Sequence, residues 1–269
     1  MKRITYVLSV LSIIIVAGCA ETGKDRQKAE RKLTPSVDTL TFEQRTPICE
    51  GSDYGFDMSM KIEWPKKARN RKVLESMQKG ISGLLFGNNL VTTDVEFAME
   101  AYNSASVELY LDNNMMDEGF PEDSYAYIMN WSEYKEGRFM QPYREMISYQ
   151  SYVYGYSGGA HGMDALCCKT FNMATGEEVR SEDLFIEDHE DRLIASLRAN
   201  LLCSIDDTDM LFEKDIYPSK DFYVTPEGIT YIYQRYEIAP YVMGIIEVTI
   251  PWKEIKDILK TEKTSGRAS

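Results

Sequence analysis

The stretch ISYQSYVYGYSGGAHGMDALCC, Ile147 to Cys168, decides how the chain is read. Ile147 to Tyr156 is a long aromatic run with strand character, and Met163 to Met173 is another. Between them Gly158 and Gly159 permit the positive backbone angles of a tight connection. Two strands joined by so short a link lie antiparallel, so the rest of the chain is read around a hairpin.

Working outward, Tyr54, Phe56, Met58, Met60, Ile62 and Trp64 recur at every second residue with polar residues between, which predicts a half-buried strand ending at Pro65. Val73, Leu74, Met77, Ile81, Leu84 and Leu85 then share one helical face, closed by Gly87 and Asn88. A second helix is expected from about Thr93 to Leu111. Period two returns at Tyr125, Tyr127 and Met129, and KEGR at Lys135 to Arg138 reads as a turn. After the hairpin come a turn at Ala174 to Gly176 and a helix from His189 to Cys203. DFYVTPEGITYIYQRYEI then carries a turn at Pro226 to Gly228, GIIEVTIPW is a further strand, and Trp252 to Leu259 a short final helix. Hairpin-connected strands with helices grouped between them predict an α+β class: antiparallel β-sheets, helices on one face, and two closely apposed sub-domains. Their expected extents are 47–158 and 159–262, followed by a disordered tail at 263–269.

The N-terminus MKRITYVLSVLSIIIVAGCAET has two basic residues, an apolar run and small residues before Cys19, the pattern of a signal peptide over residues 1–18. Val16-Ala17-Gly18-Cys19 resembles a bacterial lipobox, which implies lipid on Cys19 and attachment to a membrane of the cell envelope, with the leaflet left open. Polar residues 19–46 are expected to be a flexible tether. The formal charge is −13 over 269 residues, and −15 once Lys2 and Arg3 leave with the signal. Such a surface excludes nucleic acid as a partner and suits a basic one. Cys49, Cys167, Cys168 and Cys203 have spacings that support no zinc knuckle, and their pairing is open; Cys167 and Cys168 should point to opposite faces of a strand.

YGYSGGAHG (154–162), FNMATGEEVRSEDLF (171–185) and FYVTPEGITYIYQRYEIAPYVMGIIEVTIPWKEI (222–255) resemble the C-terminal domain shared by the extracellular part of the anti-sigma factor RsiV and the N-terminal region of the peptidoglycan deacetylase PdaC. Residues from about 48 to 158 are similar to the companion domain that precedes it, so the resemblance covers roughly 48–260. In RsiV the pair receives lysozyme, and in PdaC it accompanies a separate metal-dependent deacetylase. His161 and His189 lack the His-x-x-x-His spacing that such a metal requires. The resemblance therefore implies an exported recognition module with no cofactor and no metal.

The candidate binding residues are Tyr154, Tyr156, Gly158, Gly159, His161, Asp164 and Tyr236, a glycine loop flanked by aromatic strands. Tyrosine occurs 18 times and clusters at Tyr149 to Tyr156 and at Tyr231 to Tyr241; its ring gives contact area and its hydroxyl gives direction. The partner class is a basic protein such as a lysozyme, or peptidoglycan. A competing reading makes His161 and a carboxylate such as Asp164 the acid/base pair of a cell-wall hydrolase, although no GxSxG elbow is present. A third makes the chain a structural envelope protein. His189 reads as a solvated helix end, and the acid runs Asp117 to Asp123 and Asp206 to Asp209 lack the order of an EF-hand loop.

Overall fold

A computed structural model describes residues 33–114, 128–205, 208–212 and 215–260. The signal peptide, Cys19, the run Asp117 to Asp123, the strand expected at Tyr125 and Tyr127, and the tail lie outside the described residues.

A six-stranded sheet runs in the order β1 (Ser36–Pro47), β2 (Gly55–Lys67), β3 (Trp131–Phe139), β4 (Met146–Tyr156), β5 (Met163–Asn172), β6 (Glu178–Val179). A second sheet has β7 (Phe222–Val224), β8 (Gly228–Tyr233) and β9 (Ile246–Pro251). The neighbours are antiparallel except β2 and β3, which are parallel. A parallel pair needs a long crossover, and α1 (Arg71–Phe86) and α2 (Val95–Asn114) supply it. The short α3 (Ser181–Leu184) and α4 (Glu190–Ser204) lie between the two sheets in sequence.

One face of the large sheet forms the main core. Met58, Met60, Ile62 and Trp64 of β2 are each no more than 2% exposed, and they meet Val73, Met77, Ile81 and Leu85 of α1. Each such side chain contributes about 1.5–3 kcal/mol by leaving water. Asn70 starts α1 by accepting from the Val73 backbone N–H at 3.0 Å, and Gly87, at φ 87°, ends it. The second sheet and α4 enclose their own cluster, with Val224, Tyr231, Val248, Ile250 and Leu197 all at 0% exposure.

Three sequence expectations are corrected. The tether does not extend to residue 46, because Ser36–Pro47 is strand β1, paired along its length with β2. Only Leu40 and Phe42 of its side chains pack on the core, which is why composition alone reads it as unstructured. KEGR is not a turn but the interior of β3. Gly137 is there for close approach: a Cβ would stand 2.1 Å from the Tyr149 hydroxyl, which donates to the Glu63 carbonyl at 2.9 Å. The final helix shortens to a 3-10 turn, Trp252–Glu254, before Leu259 bridges to Phe185.

The glycine turn at 158 also does not separate two units. β4 and β5 pair from Met146 to Asn172 and from Gly155 to Met163, so the hairpin belongs wholly to the large sheet. The first hydrophobic cluster ends at Met173 and the second begins at Phe185, which places the division between the two cores there. They are joined by side chains that mimic strand pairing. Ser148 Oγ accepts from the Val224 N–H at 2.8 Å, and Gln234 exchanges two bonds with the Leu166 backbone at 3.1 and 2.8 Å.

Candidate functional site

β4 and β5 run side by side to the glycine connection, and period two sends Tyr152, Tyr154 and Asp164 to the face opposite the helices. Gly158 has φ 85°, and a Cβ there would lie 2.9 Å from the Ile128 carbonyl, so both space and backbone angle require glycine. Gly159, at φ 102°, accepts from the Tyr156 hydroxyl at 3.0 Å through its carbonyl. The loop is thereby held closed, and Tyr154 lies over Gly162.

The segment after β8 brings Arg235, Tyr236 and Tyr241 onto this loop. The Arg235 guanidinium forks onto Asp164, with Nε to Oδ1 and Nη2 to Oδ2 at 3.1 Å. Tyr152 adds a hydroxyl bond to Oδ2 at 3.3 Å. The hydrogen bonds from Arg235 hold the Asp164 carboxyl below the usual carboxylate range, and the partner carboxylate raises the arginine in turn. Arg235 also stacks 4.3 Å over the Tyr241 ring and donates to the Tyr241 carbonyl at 2.6 Å.

His161 stacks on the same Tyr241 ring. Its ring centroid is 4.1 Å from that of Tyr241 at 29°, and Tyr236 is 5.8 Å from Tyr241. The Tyr241 hydroxyl donates to the Gly162 carbonyl at 2.8 Å, fixing the central ring. Tyr236 takes φ 66°, a left-handed conformation that a non-glycine aromatic adopts at a cost. It is 52% exposed, so the strained backbone presents an aromatic ring to solvent, and Val242, which follows Tyr241 in sequence, is 74% exposed.

The structure thus brings Tyr154, His161, Asp164 and Tyr236 together, with Tyr156, Gly158 and Gly159 shaping the loop. Arg235 is the residue that the sequence reading missed. Its signal is a lone cation inside YQRY, but its partner Asp164 lies 71 residues away. The expected His161–Asp164 acid/base pair is not formed. The carboxylate is engaged by Arg235 and Tyr152, and His161 Nδ1 lies 3.0 Å from the Gly162 carbonyl.

The tyrosine-rich stretches divide between two jobs. Tyr149, Tyr231 and Tyr233 are core residues at 2% exposure or less, whereas Tyr154 and Tyr236 are open. His189 caps no backbone donor; its Nδ1 lies 2.7 Å from the Ile186 carbonyl, with its ring on Phe185 at 4.9 Å. Among the described residues there is no group of three His, Cys, Asp or Glu placed to hold a metal ion, and no helix long and apolar enough to cross a membrane. All four described cysteines are free thiols, with Cys168 buried beside Leu166 and Ile232.

No curated protein matches the chain. Among solved structures it is similar to a member of the DUF3298 family from Bacteroides fragilis, with a TM-score of 0.74 and 20% identity over 87% of this chain and 97% of that one. It is also similar to a DUF3298 family protein from Pseudomonas aeruginosa PAO1, with a TM-score of 0.59 and 18% identity over 84% of this chain and 95% of that one. At these identities the likeness is one of fold. Residues 182–253 match the family model described as "Protein of unknown function (DUF3298)", so the chain carries a DUF3298 domain within an α+β fold that solved members of that family share.

Proposed function

We propose that the chain is an exported bacterial lipoprotein, held at an envelope membrane by lipid on Cys19, whose globular part binds a basic protein of the lysozyme class without catalysing a reaction. The observation that carries this reading is the ring stack His161–Tyr241–Tyr236, clamped from beneath by Arg235 on Asp164. That clamp engages Asp164, the carboxylate named as a candidate for acid/base chemistry with His161. It also orders the rings before any partner arrives, which lowers the entropy lost on binding. The net charge of −13 favours encounter with a cationic partner, and the lipobox pattern puts the domain where such partners act. The resemblance to the RsiV and PdaC domain pair, which extends over both sheets, points the same way.

A pull-down on immobilised protein tests this, with lysozyme in one arm and peptidoglycan fragments in the other. Saturable capture of lysozyme that weakens with salt and on Tyr236→Ala is the expected result. Capture of the fragments alone moves the partner class to glycan, and no saturable binding in either arm removes the reading. Turnover of wall material that disappears on His161→Ala would establish the hydrolase instead.

A further inference from the structure

A second site lies on the same face of the large sheet, next to the Asp164 clamp and sharing Tyr152 with it. Between β3–β4 and β9 is a cleft of about 250 Å³ whose sides carry Glu136, Arg138 and Glu247 and whose floor carries Gln150. Tyr152, Leu166 and Ile245 give it an apolar wall.

Gln150 is only 3% exposed. Its Oε1 accepts from Arg138 Nε at 3.1 Å and Nη2 at 3.0 Å. A guanidinium has donors only, so the amide oxygen must face it, and this fixes the amide nitrogen on the other side. Among the described residues nothing accepts from that nitrogen. Its N–H groups are therefore left to donate to whatever occupies the cleft that Gln150 lines. Close by, Glu247 accepts from the Tyr223 hydroxyl at 2.9 Å, which leaves it further acceptor capacity. Glu136 lies 4.0 Å from Lys61 Nζ, too far for a hydrogen bond, and has the Tyr134 hydroxyl as a partner, which still leaves its carboxylate acceptor capacity.

We propose that this cleft binds a single pyranose unit. A sugar hydroxyl accepts one bond and donates another, so the same group can take the Gln150 N–H and give its proton to Glu136 or Glu247. The C–H face of the ring then lies on Tyr152, Leu166 and Ile245. An amino acid fits less well, because two of the guanidinium's nitrogens already serve Gln150 and the pair of carboxylates would oppose its anionic end. The volume is just below the roughly 300 Å³ at which pockets for larger ligands begin, in keeping with one ring. The proposal does not depend on the ring stack: Tyr236 and His161 are not part of the cleft.

Saturation-transfer NMR and titration calorimetry on the full chain with glucose, N-acetylglucosamine and lysine as probes decide it. Saturable binding of a sugar is expected, weakened about tenfold or more by Glu247→Gln and by Gln150→Leu, and unchanged by Tyr236→Ala. Where Gln150→Leu fails to fold, Glu247→Gln at its exposed position carries the test. No saturable sugar binding, binding of lysine without sugar, or sugar binding that Glu247→Gln leaves unchanged overturns the assignment.

Discussion

The two faces of the six-stranded sheet are made by alternate residues of the same strands, yet they have opposite characters. On β2, Met58, Met60, Ile62 and Trp64 face the helices and are buried, while Asp57 and Lys61 at alternate positions are exposed. On β4, Tyr149 faces the helices at 0% exposure, whereas Tyr154 on the other side is 37% exposed. The helix side is closed by α1 and α2; the other side meets the small sheet mainly along β4 and β5. One face therefore supplies stability, and the other is left to carry the ring stack and the cleft.

Neighbouring substitutions on one strand test that division most strongly. Ile62→Ala, which opens a cavity beneath α1, should cost about 2–5 kcal/mol in denaturant unfolding. Lys61→Ala, one residue away, should stay within about 0.5 kcal/mol. Equal effects would mean that the second face is as structural as the first.

A smaller effect is expected where the open face does contain a structural element. Asp164 and Arg235 have side chains only 11% and 19% exposed, so Arg235→Ala leaves a largely buried carboxylate without its main partner. The expected cost is about 1–3 kcal/mol, below the range for fully buried pairs because water and Tyr152 still reach Asp164. Its pH dependence has a defined sign. Because Arg235 lowers the Asp164 pKa in the folded state, the pair's contribution is present above about pH 4 and is lost as pH falls through the folded pKa. Acid unfolding curves of wild type and Arg235→Ala should converge there, and curves that stay parallel would mean that the pair is not linked to folding.

The helix side has one anomaly, and it gives a prediction of the opposite sign. Lys135 is 4% exposed, lies 4.6 Å over the Tyr102 ring and is 3.7 Å from Glu133, which also accepts from the Tyr102 hydroxyl at 2.7 Å. Burial lowers the Lys135 pKa in the folded state more than Glu133 raises it. The unfolded chain then binds more protons between that lowered pKa and the ordinary lysine value near 10.4, so stability rises with pH across the window. Lys135→Met should flatten that rise when unfolding midpoints are compared from pH 7 to 10. An unchanged slope would place the effect elsewhere.

The helix side was legible in the sequence and the open side was not, for a physical reason. Burial against helices writes a period into each segment, so Tyr54 to Trp64 and Val73 to Leu85 announce their elements locally. The open side is defined by contacts between distant segments, such as Asp164 with Arg235 and Leu166 with Gln234, and neither alternation nor propensity encodes which strand lies opposite. KEGR was misread for the same reason: Gly137 answers to Tyr149 on the next strand and not to its own neighbours. β1 was missed because an edge strand with two half-buried apolar side chains has almost no period to read. His161, Asp164 and Tyr236 were found as residue types near a glycine turn, but their arrangement around Arg235 required the fold.

The smallest stability effect is expected at His161. His161 is exposed, its ring contact is with the partly open Tyr241, and its one hydrogen bond is to the adjacent Gly162 carbonyl. His161→Ala should therefore change unfolding free energy by no more than about 0.5 kcal/mol. If the open face is a recognition surface, the same change should weaken partner capture, because it removes one of the three neighbouring rings while the Arg235–Asp164 clamp stays intact. Stability and binding are then separated at one position, which no substitution on the helix side can do. A large loss of stability on His161→Ala would mean that the stack is a structural plug, and the contrast between the two faces would lose its functional meaning.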